Sequence, residues 1–258
     1  MKRIIIAHVV MALLMNFSFQ LHGQNVGIGT SSPEASAKLD ISSTSMGFLP
    51  PRMTYAQRNM ISAPASGLMV YCMDCGIYGE HQFYNGTAWS NMVGGTALPK
   101  LTIGLDYQGG KIAYILEPTD PGYIANQVHG LIAASADQSM SIVWDDGVVV
   151  VTGAVATAIG TGNANTNTIV TAQGAGTYAA KICADLNLEG YSDWYLSSKD
   201  ELNKLYLNKT VIGGFSNVLY WNSTEFDVQA AWLQSFSDGS QLAGSKNIAA
   251  RIRPIRSF

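Results

Sequence analysis

Gly190–Leu207, GYSDWYLSSKDELNKLYL, decides how the second half of the chain is read. Gly190 and the Ser192-Asp193 pair are turn residues: glycine supplies the left-handed backbone, and short polar side chains bond their own main chain. Trp194, Tyr195 and Leu196 predict a short aromatic strand. Ser198 stands three residues before Glu201, the spacing at which a serine hydroxyl and a glutamate cap a helix start reciprocally. Asp200 and Glu201 fall in the first turn, and Lys204 and Lys209 near the end, as the helix dipole prefers. Leu202, Leu205 and Tyr206 recur at helical spacing and make one apolar face. Gly213-Gly214 ends the element. A helix this short is stable only if that face packs on a sheet.

Working outward, Lys111–Leu116 (KIAYIL) predicts a buried strand, turned by Pro118–Gly122 and followed by a second strand at Gly130–Ala134. Ser141–Trp144 and Val148–Thr152 read as two strands joined by the hairpin signal Asp145-Asp146-Gly147. The two aspartates also admit a calcium reading, but the turn already accounts for them. Gly160–Asn167 (GTGNANTN) lacks the Lys-Ser/Thr ending of a phosphate loop. It reads as the approach to a helix over 167–186, in which Ile169, Ala172, Ala179, Ile182, Cys183 and Leu186 form an interrupted apolar face. After the opening stretch come Tyr220–Ser223, then Ala230–Ser237 with Asp238-Gly239 as a turn, then Ile248–Phe258, read as closing strands.

WYLSSKDELNKLY, followed by YWNSTE (Tyr220–Glu225) and the terminal RIRPIRSF, resembles the Lcl C-terminal-domain family. That family is similar to the C-type-lectin-like and formylglycine-generating-enzyme-like fold. The resemblance covers Ile103–Phe258, with Ser197 standing where the family usually has proline. It implies an α+β protein with a C-type-lectin-like domain over 101–258, whose long loops beside the late strands are the place for recognition. Asn222, Thr224, Glu225, Asp227, Gln234, Asp238, Gln241 and Lys246 are the candidate ligand-binding residues, as groups able to hydrogen-bond sugar hydroxyls near aromatic rings. WNST is similar to the Trp-Asn-Asp calcium motif of C-type lectins, but the aspartate and a Glu-Pro-Asn partner loop are missing. A hard cation wants six to eight oxygens, so no metal is assigned. Trp221 and Trp232 read as core anchors, and Arg251, Arg253 and Arg256 as partners of nearby carboxylates.

The first module, 24–93, opens with the glycine turns of NVGIGTSSPEASAKLDIS, where Leu39 and Ile41 alternate as in a strand. MGFLPPRMTYAQRNMI holds a Pro-Pro stop and a short amphipathic segment, Thr54–Ile61. GLMVYC and HQFYNGTAW are two β runs, with Asn85-Gly86 as a tight-turn signal before Trp89. The pattern resembles a small β-rich, stalk-like module of bacterial surface proteins, related in style to trimeric tail-fibre segments. A homotrimer through this module is the assembly it implies. Residues 94–100 (GGTALPK) read as the linker.

Lys2 and Arg3, the apolar run Ile4–Phe19 and the small Gly23 make 1–23 a signal peptide. No cysteine follows the run, and no later stretch is long and apolar enough to span a membrane. The reading is therefore a secreted or cell-surface protein. Loss of Lys2 and Arg3 takes the formal charge from −3 to −5, and an acidic chain without a basic run is no nucleic-acid binder. Cys72 and Cys75 form a lone CxxC, which can be half a zinc site, a redox pair or a local disulfide. With only His81 and His129 in the mature chain, and in an oxidising compartment, the disulfide is preferred. Cys183 reads as a buried small hydrophobe. His129 is the second module's only histidine and no nucleophile motif accompanies it. The formylglycine-generating enzymes hold copper with a cysteine pair, and this module has one cysteine. No enzyme and no cofactor are expected. The expectation is a displayed lectin-like domain adhering to glycan or protein; a purely structural fibre or stalk protein is the alternative. Intact-mass spectrometry of the exported protein is expected to find a chain starting at Gln24, and one starting at Met1 overturns the export reading.

Overall fold

The computed structural model describes residues 25–258; the expected signal peptide, 1–23, lies outside the described residues. Contacts divide the chain into two compact units, one ending at Pro50 and one spanning Pro51–Phe258.

In the first unit, Val26–Ile28 (β1) and Leu39–Ile41 (β2) pair in parallel. The connection is held by the Asp40 carboxylate, which accepts from Glu34 N at 2.9 Å. A two-stranded ribbon has no second layer to bury its side chains. Val26, Ile28, Leu39, Met46, Phe48 and Leu49 are accordingly more than half exposed.

The second unit begins with Arg52–Met53 (β3), Met69–Cys72 (β4), Glu80–Tyr84 (β5) and Trp89–Asn91 (β6), a sheet in that order. Helix α1, Tyr55–Asn59, follows β3 and starts with a Thr54/Gln57 capping box. The Asn85-Gly86 hairpin forms as expected. Asn85 Oδ1 accepts from Thr87 N and Ala88 N at 2.9 Å each, and Gly86 takes φ +100°, a conformation that favours glycine. Cys72 and Cys75 form the disulfide. The 94–100 segment is bonded into the same unit as the C-terminal residues, so the division lies ahead of it. Leu98 N donates to Glu80 Oε2 at 2.8 Å, Gly76 N to Pro99 O at 3.0 Å, and Val128 N to Ile77 O at 2.9 Å.

Two further sheets follow. Asp106–Tyr107 (β7), Gly110–Ile115 (β8), Gly130–Ala133 (β9) and Ile255–Ser257 (β15) are ordered β15-β9-β8-β7. Ser139–Ile142 (β10), Leu219–Glu225 (β11), Ala230–Ser235 (β12), Gln241–Ser245 (β13) and Ala250–Ile252 (β14) are ordered β10-β14-β11-β12-β13. Only β11 and β14 run parallel within these two sheets. The helices are Gly162–Gln173 (α2), Ala179–Ala184 (α3), Lys199–Leu207 (α4) and Lys209–Ile212 (α5). The result is a mixed, sheet-rich architecture with few helices. The single helix expected over 167–186 is two, because Gly174 turns the chain at φ +76° and Tyr178 is extended. Val148–Thr152 is not a strand, and Trp194–Leu196 contributes only the bridge between Tyr195 and Ile255.

Strand β11 is central and buried on both faces. Trp221 packs with Trp144, Ile169, Tyr178, Leu196 and Leu233. Its neighbour Tyr220 faces the opposite way, among Tyr195, Leu202, Leu205, Phe236 and Ile255. Trp232 is not a core anchor: it is half-buried, with Lys199 Nζ 3.4 Å over its ring. The arginines pair as read. Arg251 Nη1 and Arg253 Nε both donate to Asp137, at 2.9 and 2.7 Å, and Arg256 forks onto Asp193 at 2.7 and 2.9 Å.

Burial pushes the Cys183 thiol up and removes it from reagents. Thiol labelling of native protein is expected to find no reactive cysteine. Reductant alone should expose Cys72 and Cys75, and denaturant should be required for Cys183; labelling of Cys72 without reductant contradicts the disulfide.

Candidate functional site

The start of α4 organises the loops around the late strands. Ser198 N donates to Glu201 Oε2 at 2.7 Å, and Glu201 N to Ser198 Oγ at 3.3 Å, completing the capping box. Glu201 also reaches out of its helix: Gly160 N donates to its Oε1 at 2.9 Å. Ser198 Oγ donates to Ala158 O at 2.9 Å. A Cβ at Gly162 would run into Glu201 Oε2, which is why glycine starts α2. Burial raises the Glu201 pKa, against the lowering pull of those main-chain donors.

A second buried carboxylate does the same for the preceding loop. Glu225, at the end of β11, accepts from Thr152 N and Gly153 N, both at 2.9 Å, and from Lys246 Nζ at 2.6 Å. The two side chains are 1% and 2% exposed. Lys246 Nζ completes its donors with Val228 O at 3.1 Å and Val150 O at 3.3 Å, and lies 4.7 Å from the Trp144 ring centroid. Desolvation by itself would raise the Glu225 carboxyl. The hydrogen bonds from Lys246, Thr152 and Gly153 outweigh it and hold the group below the usual carboxylate range.

Five of the eight expected ligand residues are therefore part of the interior. Asn222, Thr224, Glu225 and Gln234 are buried because β11 and β12 are inner strands of their sheet, and Lys246, just past the edge strand β13, is buried against Glu225. Asn222 Oδ1 accepts from Thr224 N at 2.9 Å, and its main-chain oxygen accepts from Trp144 Nε1 at 2.8 Å. Thr224 Oγ1 donates to Ala156 O at 2.9 Å and accepts from Lys199 N at 3.0 Å. Gln234 Nε2 donates to Asn203 Oδ1 at 2.8 Å, and half-buried Gln241 donates to Lys199 O at 3.0 Å. Asp227 and Asp238 are exposed, and each caps its own turn through Gln229 N and Ser240 N. The eight do not gather into one surface patch. Glu225 and Lys246 come together, but as a support beneath a loop.

The loop they support borders a polar cleft of about 340 Å³. Asp145, Val149, Gln229, Ser245 and Asn247 line it, with Lys246 behind. Asp145 Oδ1 accepts from Gly147 N at 3.1 Å, so the aspartate is both turn residue and cleft wall. The signal for this site was in the sequence as Asp145-Asp146-Gly147 before four valines. Reading that stretch as a hairpin hid it.

A second cleft, about 230 Å³, is more apolar and is walled by Leu116, Leu131, Ile159 and Phe258 beside His129. Both ring nitrogens of His129 are engaged, Nε2 with Gln127 Oε1 at 2.9 Å and Nδ1 with Phe258 O at 3.3 Å. Cys72, Asp74 and Cys75 cluster within ligand distance of one another, with both sulfurs committed to the disulfide.

Residues 134–256 match the model of the Lcl C-terminal domain, and residues 27–104 match that of a phage tail-like trimerisation region. No curated protein matches the chain. The Lcl C-terminal match spans the loops, both buried carboxylates and the polar cleft.

Removing one partner of a buried pair strands the other charge, at a cost of about 3–5 kcal/mol. Lys246→Met and Glu225→Gln are each expected to destabilise by that order in urea unfolding, and the double variant by clearly less than the sum. The Glu225 contribution is present above the ordinary carboxylate pKa and is lost as pH falls through the lowered folded value. Acid titration of the unfolding midpoint should show that loss in wild type and not in Glu225→Gln.

Proposed function

We propose that the chain is an exported, cell-surface or secreted protein in which a trimeric stalk displays a lectin-like recognition domain that adheres to a glycan or a protein. The observation that carries this reading is the succession, in one chain, of a trimerisation-region match at 27–104 and an Lcl C-terminal-domain match at 134–256. Two features support it. The apolar side chains of β1, β2 and Met46–Leu49 are left uncovered, as residues awaiting neighbouring copies would be. The C-terminal residues place long irregular loops on a rigid two-sheet scaffold, the arrangement in which loops usually recognise ligands. Among the described residues no helix is long and apolar enough to cross a membrane. In this reading the protein binds and performs no chemistry, and it needs no cofactor or metal.

One observation favours a purely structural stalk protein instead: most of the polar residues beside the late strands face inward. Light scattering on the full mature chain is expected to give three times the single-chain mass. Ile28→Asp with Leu39→Asp should reduce it to monomer. The trimer is then screened on glycan and extracellular-protein arrays. Saturable binding establishes recognition, a trimer without binding selects the structural stalk, and a monomer overturns the assembly.

A further inference from the structure

Val148–Val151, four consecutive β-branched residues, have the composition of a strand core. Yet among the described residues no strand pairs with them. From 148 to 152 the chain has neither turn nor bend, and Val148, Val149 and Val151 are 55%, 67% and 63% exposed. From Val149 on, exposure alternates as in a strand, with Val150 half-buried and Thr152 buried. Among the described residues, Val149 and Val151 make no main-chain hydrogen bond.

The buried charges fix which way these groups point. Val150 O is turned inward to Lys246 Nζ, and Thr152 N is taken by Glu225. A residue's own N–H and C=O leave an extended strand on the same side, and successive residues alternate. Up to Thr152, Val149 and Val151 thus direct donor and acceptor to the side opposite Lys246, where among the described residues nothing bonds them, the set that one antiparallel neighbour needs. The segment is pinned at 150, 152 and 153 before any partner arrives, so little ordering entropy remains to be lost on pairing.

We infer that Val148–Val151 is a docking strand for an extended segment of a partner protein, one that adds a strand to it and places a basic side chain in the adjoining cleft. The charge of that cleft selects the partner. Lys246 is neutralised by Glu225, whereas among the described residues the carboxylate of Asp145, on the cleft wall, has Gly147 N as its one partner. An ammonium or guanidinium complements it, with Gln229, Ser245 and Asn247 as further polar contacts. Strand addition supplies affinity through the main chain, and such a pocket supplies specificity. The inference rests on the reading of the C-terminal domain as a recognition module and names the chemistry of its ligand.

The probe is a fluorescein-labelled seven-residue peptide alternating valine and threonine with one central lysine, followed by fluorescence polarisation on the full mature chain. Saturable binding is expected. Val149→Pro, which removes an unbonded main-chain donor, should weaken it about tenfold, the equivalent of one lost hydrogen bond. Asp145→Asn and acetylation of the peptide lysine should each weaken it about tenfold, with no further loss when combined. A peptide N-methylated at its valines should fail to bind, which tests main-chain pairing without altering the protein. No saturable binding, or binding indifferent to N-methylation, overturns the inference. Self-association abolished by Val149→Pro, without peptide binding, also overturns it by making a second copy the occupant. Array binding that survives Val149→Pro leaves the recognition reading intact while sinking the docking strand.

Discussion

The buried pair Glu225–Lys246 is the interaction on which the loop side of the C-terminal residues depends. One carboxylate and one ammonium together satisfy two main-chain donors and two main-chain acceptors from two segments far apart in sequence, 150–153 and Val228. Irregular backbone cannot be buried without such partners, since an unpaired amide or carbonyl loses its water for nothing. A buried ion pair adds little net stability over an apolar pair of the same shape. Its effect here is to give a loop without secondary structure one definite course.

The same device recurs twice, with different chemistry. Glu201 caps its own helix and simultaneously fixes Gly160, tying the end of the long loop to α4. Asp137 gathers Arg251 and Arg253, and the fully buried Arg253 adds Ala134 O and Gly214 O at 3.0 and 2.6 Å. Arg suits this role because its planar fork serves several acceptors at once. Three charged anchors thus hold the connections, while Trp144, Trp221, Leu196 and Leu233 supply the apolar burial between them. Among the described residues this leaves the valine segment at 148–151 as backbone that is positioned but joined to no strand.

The first unit obeys a different constraint. Its ribbon is too small to bury its own apolar residues, and nothing in the hydrogen bonding of β1 and β2 compensates for that. Neighbouring copies would remove this surface from water, and assembly and stability would then be one quantity for this part of the chain.

Local chemistry determined what could be read from the sequence. The capping box at Ser198 and Glu201, the Asn85-Gly86 turn, the short-range Cys72–Cys75 bridge and the strands at 111–116 and 130–134 each rest on residues close in the chain, and the structure keeps them. Tertiary structure alone decided the rest. β11 became a central strand only through its neighbours β12 and β14, and that turned Asn222, Thr224 and Glu225 from loop-side candidates into interior groups. Lys246 lies 21 residues beyond Glu225, and no local spacing announces that the two will meet. Val148–Thr152 has strand propensity without a strand because propensity reports a residue's fit to a pleated surface, whereas a ladder needs a second chain segment alongside. Which segments lie alongside is settled by long-range packing, and there the sequence pattern is silent.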